Sequence, residues 1–174
     1  MLDISNVLIS EEQIQKRVSE LGAQITKDYA GEKLLLLGIM KGSIPFMADL
    51  MRRIDLDVTI DLMQVSSYGG ETKSSGVVKI IKDLDADITN RHILIVEDIV
   101  DTGYTLQYLK SYLSNRGAKS LKIVTMLDKP TRRQVDLKPD YCGFEVPDVF
   151  VIGYGLDADQ KYRQLPYISY IPQE

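Results

Sequence analysis

Residues 92–105 read His-Ile-Leu-Ile-Val-Glu-Asp-Ile-Val-Asp-Thr-Gly-Tyr-Thr. The first five, four of them apolar, are rich in β-branched and aliphatic side chains and lead into three carboxylates and a Thr/Gly/Thr turn. Leu106, Leu109 and Leu113 follow at helical spacing. The pattern predicts a buried strand that delivers a loop at the N-terminus of a helix.

This junction combines two kinds of ligand-binding group. Carboxylates at the carboxyl end of a strand can hold a hydrated divalent cation, and the first backbone N–H groups of a helix, here from Thr102 to Thr105, are free donors suited to a phosphate. A purely structural alternative is a junction whose acidic residues only favour the helix dipole. A helix cap needs one acidic residue and this segment has three, which favours a binding site.

The bulk composition indicates one domain spanning residues 1–174, with 44% hydrophobic and 26% charged residues. A net charge of -4 argues against a nucleic-acid partner held by bulk electrostatics. Cys142 is the single cysteine and cannot form an internal disulfide, so a cytoplasmic location is expected. The longest apolar run, Leu34 to Met40, is too short to cross a bilayer, so no membrane partner is expected.

Alternating strand and helix patterns predict an α/β fold with a mainly parallel, twisted sheet flanked by helices. Helices are expected from the capping box at Ser10 to Gly31, at 45–51 and from 104 to about 117. Strands are expected at 34–39, 58–65, 77–81, 92–96, 121–127, 141–146 and 149–153, with a short strand-like patch after Pro166.

Ligands bind beyond the carboxyl ends of the strands in such folds. Three polar segments are expected there, and we expect them to converge: Lys41-Gly42-Ser43, Asp98 to Thr105, and Asp128-Lys129. A fourth polar segment, Ser66 to Ser75, has no apolar face and is predicted to be a lid that orders over substrate.

Nearly the whole chain resembles the type I phosphoribosyltransferases, and specifically the bacterial 6-oxopurine (hypoxanthine-guanine) branch. The first motif, Glu-Asp-x-x-Asp-Thr-Gly-x-Thr, is specific because hydrophobic, acidic and turn residues must share one register. With it, the motifs that carry the resemblance follow the order of that family: Gly38 to Gly42, Ser67-Tyr68-Gly69, Glu97 to Thr105, Leu127 to Pro130, Pro147 to Asp157, and Tyr162-Arg163.

The resemblance implies transfer of a phosphoribosyl group from phosphoribosyl diphosphate to a purine ring nitrogen, on a fold with a small hood built from the chain termini. Asp101 would be the general base. Glu97 and Asp98 would hold the ribose hydroxyls and magnesium (Mg2+), directly or through water. The 5′-phosphate would bind the turn and its hydroxyls, at Thr102, Gly103, Tyr104 and Thr105.

For the departing diphosphate, the resemblance implies a loop at Lys41-Gly42, with a cis peptide between Met40 and Lys41. Arg163 would be a second diphosphate contact and Asp157 a ligand of a second Mg2+. It also implies a homodimer or homotetramer. Arg132 and Arg133 are interpreted as a solvated or subunit-facing pair, and His92 as structural.

The purine site implied by the resemblance comprises Lys129, Phe150 and Val151. Lys129 has only donors, so it suits the 6-oxo group of hypoxanthine and guanine and opposes the 6-amino group of adenine. The Phe150 ring would stack on the purine, and the Val151 carbonyl would accept from the ring N–H or the 2-amino group. Xanthine should therefore be a poorer substrate and adenine excluded.

Two other functions stay open from the sequence. A regulator on the same fold, like the RNA-binding attenuation proteins of pyrimidine operons, would need a Lys/Arg-rich face that this acidic chain does not show. The second open function is the same reaction on xanthine, adenine or a pyrimidine. Lys129 and Phe150-Val151 favour a 6-oxopurine over these bases.

Overall fold

The computed structural model describes residues 2–67 and 78–172. Its helices are α1 (Glu11–Asp28), α2 (Ile44–Met51) and α3 (Tyr104–Asn115), with one 3₁₀ turn at Pro130–Arg132. Its strands are β1 (Val7–Ile9), β2 (Lys33–Met40), β3 (Asp57–Ser67), β4 (Val78–Lys82), β5 (His92–Val100), β6 (Ser120–Asp128), β7 (Tyr141–Glu145), β8 (Phe150–Ile152) and β9 (Ile168–Ile171).

Two sheets organise these strands. The larger has the order β4-β3-β2-β5-β6-β7, in which the pairings β3–β2, β2–β5, β5–β6 and β6–β7 are parallel and β4 is antiparallel at one edge. The smaller sheet, β1-β9-β8, is antiparallel and combines segments near the two ends of the chain. The predicted α/β fold with a mainly parallel sheet and a terminal hood is confirmed.

The apolar run of β2 explains why both faces of the large sheet are covered. Successive side chains of a strand point to opposite faces, so an uninterrupted apolar run needs packing partners on both sides. Leu34 and Leu36 join the cluster formed with α1 and α2, whereas Leu35 and Leu37 join the cluster formed with α3. All four side chains are buried, and the sheet is the central layer of three.

Helix α1 begins as the sequence predicts and ends earlier. Ser10 and Gln13 form the expected capping box, and the apolar stripe that starts at Ile14 is buried. The helix ends at Asp28, and Gly31, which was expected to mark its end, lies beyond it with a φ of +80°. Within residues 2–67 and 78–172, no helix combines the length and hydrophobicity of a bilayer-spanning segment.

Two strands are longer than their sequence patterns indicate. Strand β5 continues through the acidic residues to Val100, with Glu97 paired in register to Thr125 of β6. The prediction that Asp98 begins a loop was therefore wrong, because β5 continues to pair with β6 beyond the apolar residues that end at Val96. Strand β3 likewise includes Ser66 and Ser67, and the rest of the predicted lid lies outside the described residues.

Candidate active site

The parallel strands β2, β5 and β6 are neighbours and carry the three predicted polar segments to one edge of the sheet. Lys41 follows β2, Asp101 follows β5, and Lys129 follows β6. A backbone hydrogen bond of 2.9 Å from the Lys129 N–H to the Val100 carbonyl joins the last two segments. His92 lies at the opposite end of β5, where its Nδ1 is 2.6 Å from the Ser120 hydroxyl, so it is outside this edge.

The turn after β5 forms an open cradle at the start of α3. Gly103 is the N-cap with a φ of +93°, and no side chain caps the helix. A Cβ at this glycine would lie 2.8 Å from Val135 Cγ2, so both backbone conformation and space require glycine. The first N–H groups of the helix are then available to an anion. A cavity opens beside them, lined by Glu97, Ile99, Val100, Asp101, Thr102, Gly103, Thr105 and Leu106.

Glu97 and Asp98 are adjacent acidic residues in a desolvated setting. Glu97 is buried, and burial, with a further contribution from Asp98, raises the pKa of its carboxyl well above its ordinary value. Burial also raises the pKa of Asp98 to about 6, although a 2.6 Å hydrogen bond from the Ile99 N–H and the nearby charge of Arg163 act in the opposite direction. Positive charge at this position would stabilise both carboxylates.

The donor set fits a hard cation that uses few protein ligands. Among the described residues, no three or more His, Cys, Asp or Glu side chains are gathered as a metal site of protein groups alone. The Asp157 carboxylate is near enough to raise the pKa of Asp98. Mg2+ keeps several waters and binds one or two carboxylates together with substrate phosphates, which is compatible with this arrangement.

The segment after β2 is packed against both Asp98 and the segment after β8. The peptide bond between Met40 and Lys41 is cis, as the resemblance implies. A Cβ at Gly42 would overlap the Asp98 carboxylate, and a Cβ at Gly155 would overlap the Gly42 carbonyl oxygen. Glycine at both positions allows these three segments to meet.

A pair of basic side chains converges beside these glycines. The amide oxygen of Gln160 lies 3.3 Å from Lys41 Nζ and 3.2 Å from Arg163 Nη2. Arg163 also donates to the Gly155 carbonyl at 2.7 Å and pairs with Asp157 at 3.2 Å. The two cations are therefore held together, as an anionic ligand with several oxygens would require. Gln160 was not expected at the site, because no charge or motif pattern distinguishes it.

Asp101 is held by an arginine that the sequence interpretation did not assign to the site. Arg132 Nε donates to Asp101 Oδ1 at 2.5 Å, and Arg132 Nη1 lies 3.5 Å from Asp148 Oδ2. Arg132 is exposed, as expected of a solvated residue, but its contact with Asp101 was not expected. The available signal was its position three residues after Lys129, on a segment already expected at the site.

Arg133 has a structural role next to it, which corrects its earlier interpretation. Its guanidinium pairs with the buried carboxylate of Asp128 at 2.5 Å and donates to the Asp101 carbonyl at 2.8 Å. Lys129 is buried, with its Nζ 4.0 Å from Asp148 Oδ1. A buried ammonium at the rim of a site is positioned to donate to a ligand acceptor.

Strand β8 of the hood carries an exposed aromatic ring at Phe150. Phe150 is 45% exposed, whereas its neighbour Val151 is buried. Phe150 pairs with Ile171 of β9, so the hood sheet holds its backbone. An exposed ring on a fixed backbone provides a stacking surface for a flat ligand.

Comparisons with known proteins agree with this geometry. A family model described as a phosphoribosyl transferase domain matches residues 8–159. A hypoxanthine-guanine phosphoribosyltransferase of Bacillus subtilis (strain 168) is 58% identical over 167 residues, covering 96% of this chain and 93% of that protein. The protein of the same name from Lactococcus lactis is 54% identical over 171 residues, covering 98% and 93%.

Solved structures are similarly close. A crystal structure of a hypoxanthine phosphoribosyltransferase from Staphylococcus aureus superposes with a TM-score of 0.95 at 52% identity, covering 98% of this chain and 92% of the other. A hypoxanthine-guanine phosphoribosyltransferase from Bacillus anthracis gives a TM-score of 0.92 at 46% identity, covering 99% and 100%. Fold and sequence are therefore shared over essentially the full length.

Proposed function

This chain belongs to the phosphoribosyl transferase family, and on that premise we propose the reaction that it catalyses. It is a hypoxanthine-guanine phosphoribosyltransferase of purine salvage. It transfers the 5-phosphoribosyl group from phosphoribosyl diphosphate to hypoxanthine or guanine, giving IMP or GMP and diphosphate. The bond from the anomeric carbon to the diphosphate oxygen breaks, and a bond from that carbon to a purine nitrogen forms.

Asp101 is the group that we assign to proton transfer. It accepts the proton of the purine imidazole nitrogen as that nitrogen bonds to the anomeric carbon. The purine ring of the product is therefore uncharged. Asp101 Oδ1 is engaged by Arg132, and its other carboxylate oxygen takes no hydrogen bond from any described residue. An oxygen without a hydrogen bond from the described residues supports the assignment, because a general base needs an available acceptor.

The cradle from Thr102 to Thr105 is assigned to the 5′-phosphate. Uncapped N–H groups at the start of α3 support this, since they provide donors and the positive end of the helix dipole. The contact is largely to the backbone of Gly103 and Tyr104, with the Thr102 and Thr105 hydroxyls completing it. The anchored phosphate places the ribose beside Glu97 and Asp98, which would hold its hydroxyls.

Lys41 and Arg163 are assigned to the diphosphate, with Gly42 providing the close backbone approach. Their common contact with Gln160 supports a preformed pair of cations for a leaving group that accumulates negative charge. Glu97, Asp98 and Asp157 would hold Mg2+, and the pKa values of the first two, raised chiefly by burial, indicate carboxylates that a bound cation would stabilise. When bound, Mg2+ would supply Lewis-acid charge for the diphosphate oxygens.

The choice of purine is assigned to Lys129, Val151 and Phe150. The ammonium of Lys129 has only hydrogen-bond donors, so it suits a 6-oxo acceptor. It opposes a 6-amino group, which presents N–H donors as well. The Val151 carbonyl would accept from the ring N–H or from the 2-amino group of guanine, and would repel the 2-oxo group of xanthine. The exposed Phe150 ring supports stacking on either substrate.

The setting of the enzyme is also a proposal. We propose that residues 1–174 act as one domain, since both hydrophobic clusters pack against the same six-stranded sheet. We propose a cytoplasmic protein, as the single Cys142 suits a reducing compartment. A homodimer or homotetramer, without a nucleic-acid or membrane partner, is the proposed assembly, on the basis of family resemblance and acidic charge.

One observation carries this proposal: an uncapped helix N-terminus, a desolvated acidic pair and a buried lysine meet at one sheet edge. The test is purine-dependent release of diphosphate from phosphoribosyl diphosphate and Mg2+, measured with hypoxanthine, guanine, xanthine and adenine. Release is expected with the first two, weakly with xanthine and not with adenine. Comparable kcat/KM for adenine and hypoxanthine would overturn the base assignment, and no release with any base would overturn the function.

A further inference from the structure

Arg132 connects the assigned general base with the purine-binding segments. Its Nε donates to Asp101 Oδ1 at 2.5 Å, and its Nη1 is 3.5 Å from Asp148 Oδ2. The other oxygen of the Asp148 carboxylate lies 4.0 Å from Lys129 Nζ. Arg132 and Asp148 thus connect Asp101, the assigned general base, with Lys129, which is assigned to purine selection.

The backbone around Arg132 is fixed relative to Asp101, so this contact does not depend on a freely moving loop. The Gln134 N–H donates to the Thr102 carbonyl at 2.9 Å, and Arg133 Nη1 donates to the Asp101 carbonyl at 2.8 Å. The Arg132 N–H closes a 3₁₀ turn onto the Lys129 carbonyl at 3.1 Å. The first two bonds join the two segments after the Arg132–Asp101 pair, and the bond from the Lys129 N–H to the Val100 carbonyl joins them before it.

We infer that Arg132 is a positioning residue for Asp101, an inference that rests on the proposed function. Arg132 holds Oδ1, which stops the carboxylate from rotating and leaves the second oxygen to take the proton from the purine nitrogen. Arg132 neither gains nor loses a proton in this step. The electron pair of the breaking carbon–oxygen bond leaves with the diphosphate, and the purine nitrogen supplies the pair of the new bond.

An arginine suits this role better than a lysine. The planar guanidinium can engage Asp101 through Nε and Asp148 through Nη1 at the same time, whereas an ammonium is a point charge without this fixed geometry. The contribution to stability should be small, because Arg132 is 44% and Asp101 43% exposed and exposed ion pairs contribute little. A role in stability alone therefore does not explain the arrangement.

The experiment compares kcat and KM of the wild-type enzyme, Arg132→Gln, Arg132→Lys, Asp101→Asn and the double variant Arg132→Gln/Asp101→Asn. Arg132→Gln should lower kcat by about 10- to 100-fold, the scale of a misplaced catalytic group, with KM for phosphoribosyl diphosphate changed less than about threefold. Arg132→Lys should fall between wild type and Arg132→Gln. The double variant should be no slower than Asp101→Asn, because Arg132 acts only through that carboxylate.

Arg116→Gln is the matched control. Arg116 forms an ion pair with Asp83 at 3.0 Å, with 34% and 42% of the two side chains exposed, at the far end of α3. The control should retain wild-type kcat. The inference is overturned if Arg132→Gln keeps kcat within about twofold, or if the double variant loses the product of the two single losses.

The same assay distinguishes failure of the inference from failure of the proposed function. An inactive wild-type enzyme with every purine would overturn the function. An active wild-type enzyme whose Arg132 and Asp101 effects multiply would overturn only the positioning role.

Discussion

Replacing Phe150 by alanine should weaken purine binding far more than it weakens the fold. The ring is 45% exposed, so the folded protein leaves about half of its surface available for a flat ligand. Stacking of a base on an aromatic side chain contributes about 1–3 kcal/mol by alanine substitution. At about 1.4 kcal/mol per tenfold, purine KM should rise about 5- to 150-fold for hypoxanthine and guanine alike.

The cost to stability follows from comparison with a buried ring. Phe46, a residue of α2, is completely buried, and removal of such a ring costs about 3–5 kcal/mol. Phe150→Ala should cost less than about half of this, because so much of the ring contacts solvent in the folded state. In a chain of this size each kcal/mol shifts the melting temperature by about 2–4 °C. Phe46→Ala is thus the comparison variant for stability.

The assay is steady-state diphosphate release, with purine varied at saturating phosphoribosyl diphosphate and then the reverse, together with thermal unfolding. KM for phosphoribosyl diphosphate should change little, since the ring is assigned no contact with it. The reasoning is refuted if purine KM stays within about twofold of wild type, or if both KM values rise together.

Three further results are expected. Asp101→Asn should fold normally and lose about 10²- to 10⁴-fold in kcat, measured by the same assay, and a loss of only a few-fold would remove Asp101 from the role of base. Lys129→Gln should relax the exclusion of adenine, because an amide can accept as well as donate; unchanged selectivity in a panel of bases would contradict this. Without divalent metal, wild-type stability should fall relative to Asp98→Asn as pH rises from about 4 to above 6. The folded pKa of Asp98, raised by burial to about 6, exceeds its ordinary value of 3.8, so ionisation costs the folded state about 3 kcal/mol. Thermal melts across this pH range test it, and parallel curves for the two proteins would disprove it.

Local patterns in the sequence were sufficient to predict the layers of the fold. The uninterrupted apolar residues from Leu34 to Leu37 require packing on both faces, and the structure places α1 and α2 on one face and α3 on the other. The Thr102-Gly103 pair predicted the uncapped turn at α3, and Gly103 adopts the left-handed backbone there. These features depend on residues close in the chain, so periodicity and turn chemistry are enough to predict them.

The partners of the site residues were decided by tertiary structure. Asp101 and Arg132 are 31 residues apart in the chain, and they meet because β5 and β6 are parallel neighbours with adjacent ends. The hydrophobic pattern also predicted the end of β5 too early, because an acidic residue is expected to be exposed. Glu97 is instead buried and paired with β6. The sequence by itself determined the layers, the turn at Gly103 and the family, all of which are encoded in short stretches. Which side chain holds Asp101 depends on contacts between distant segments, and only the packed sheet edge decides it.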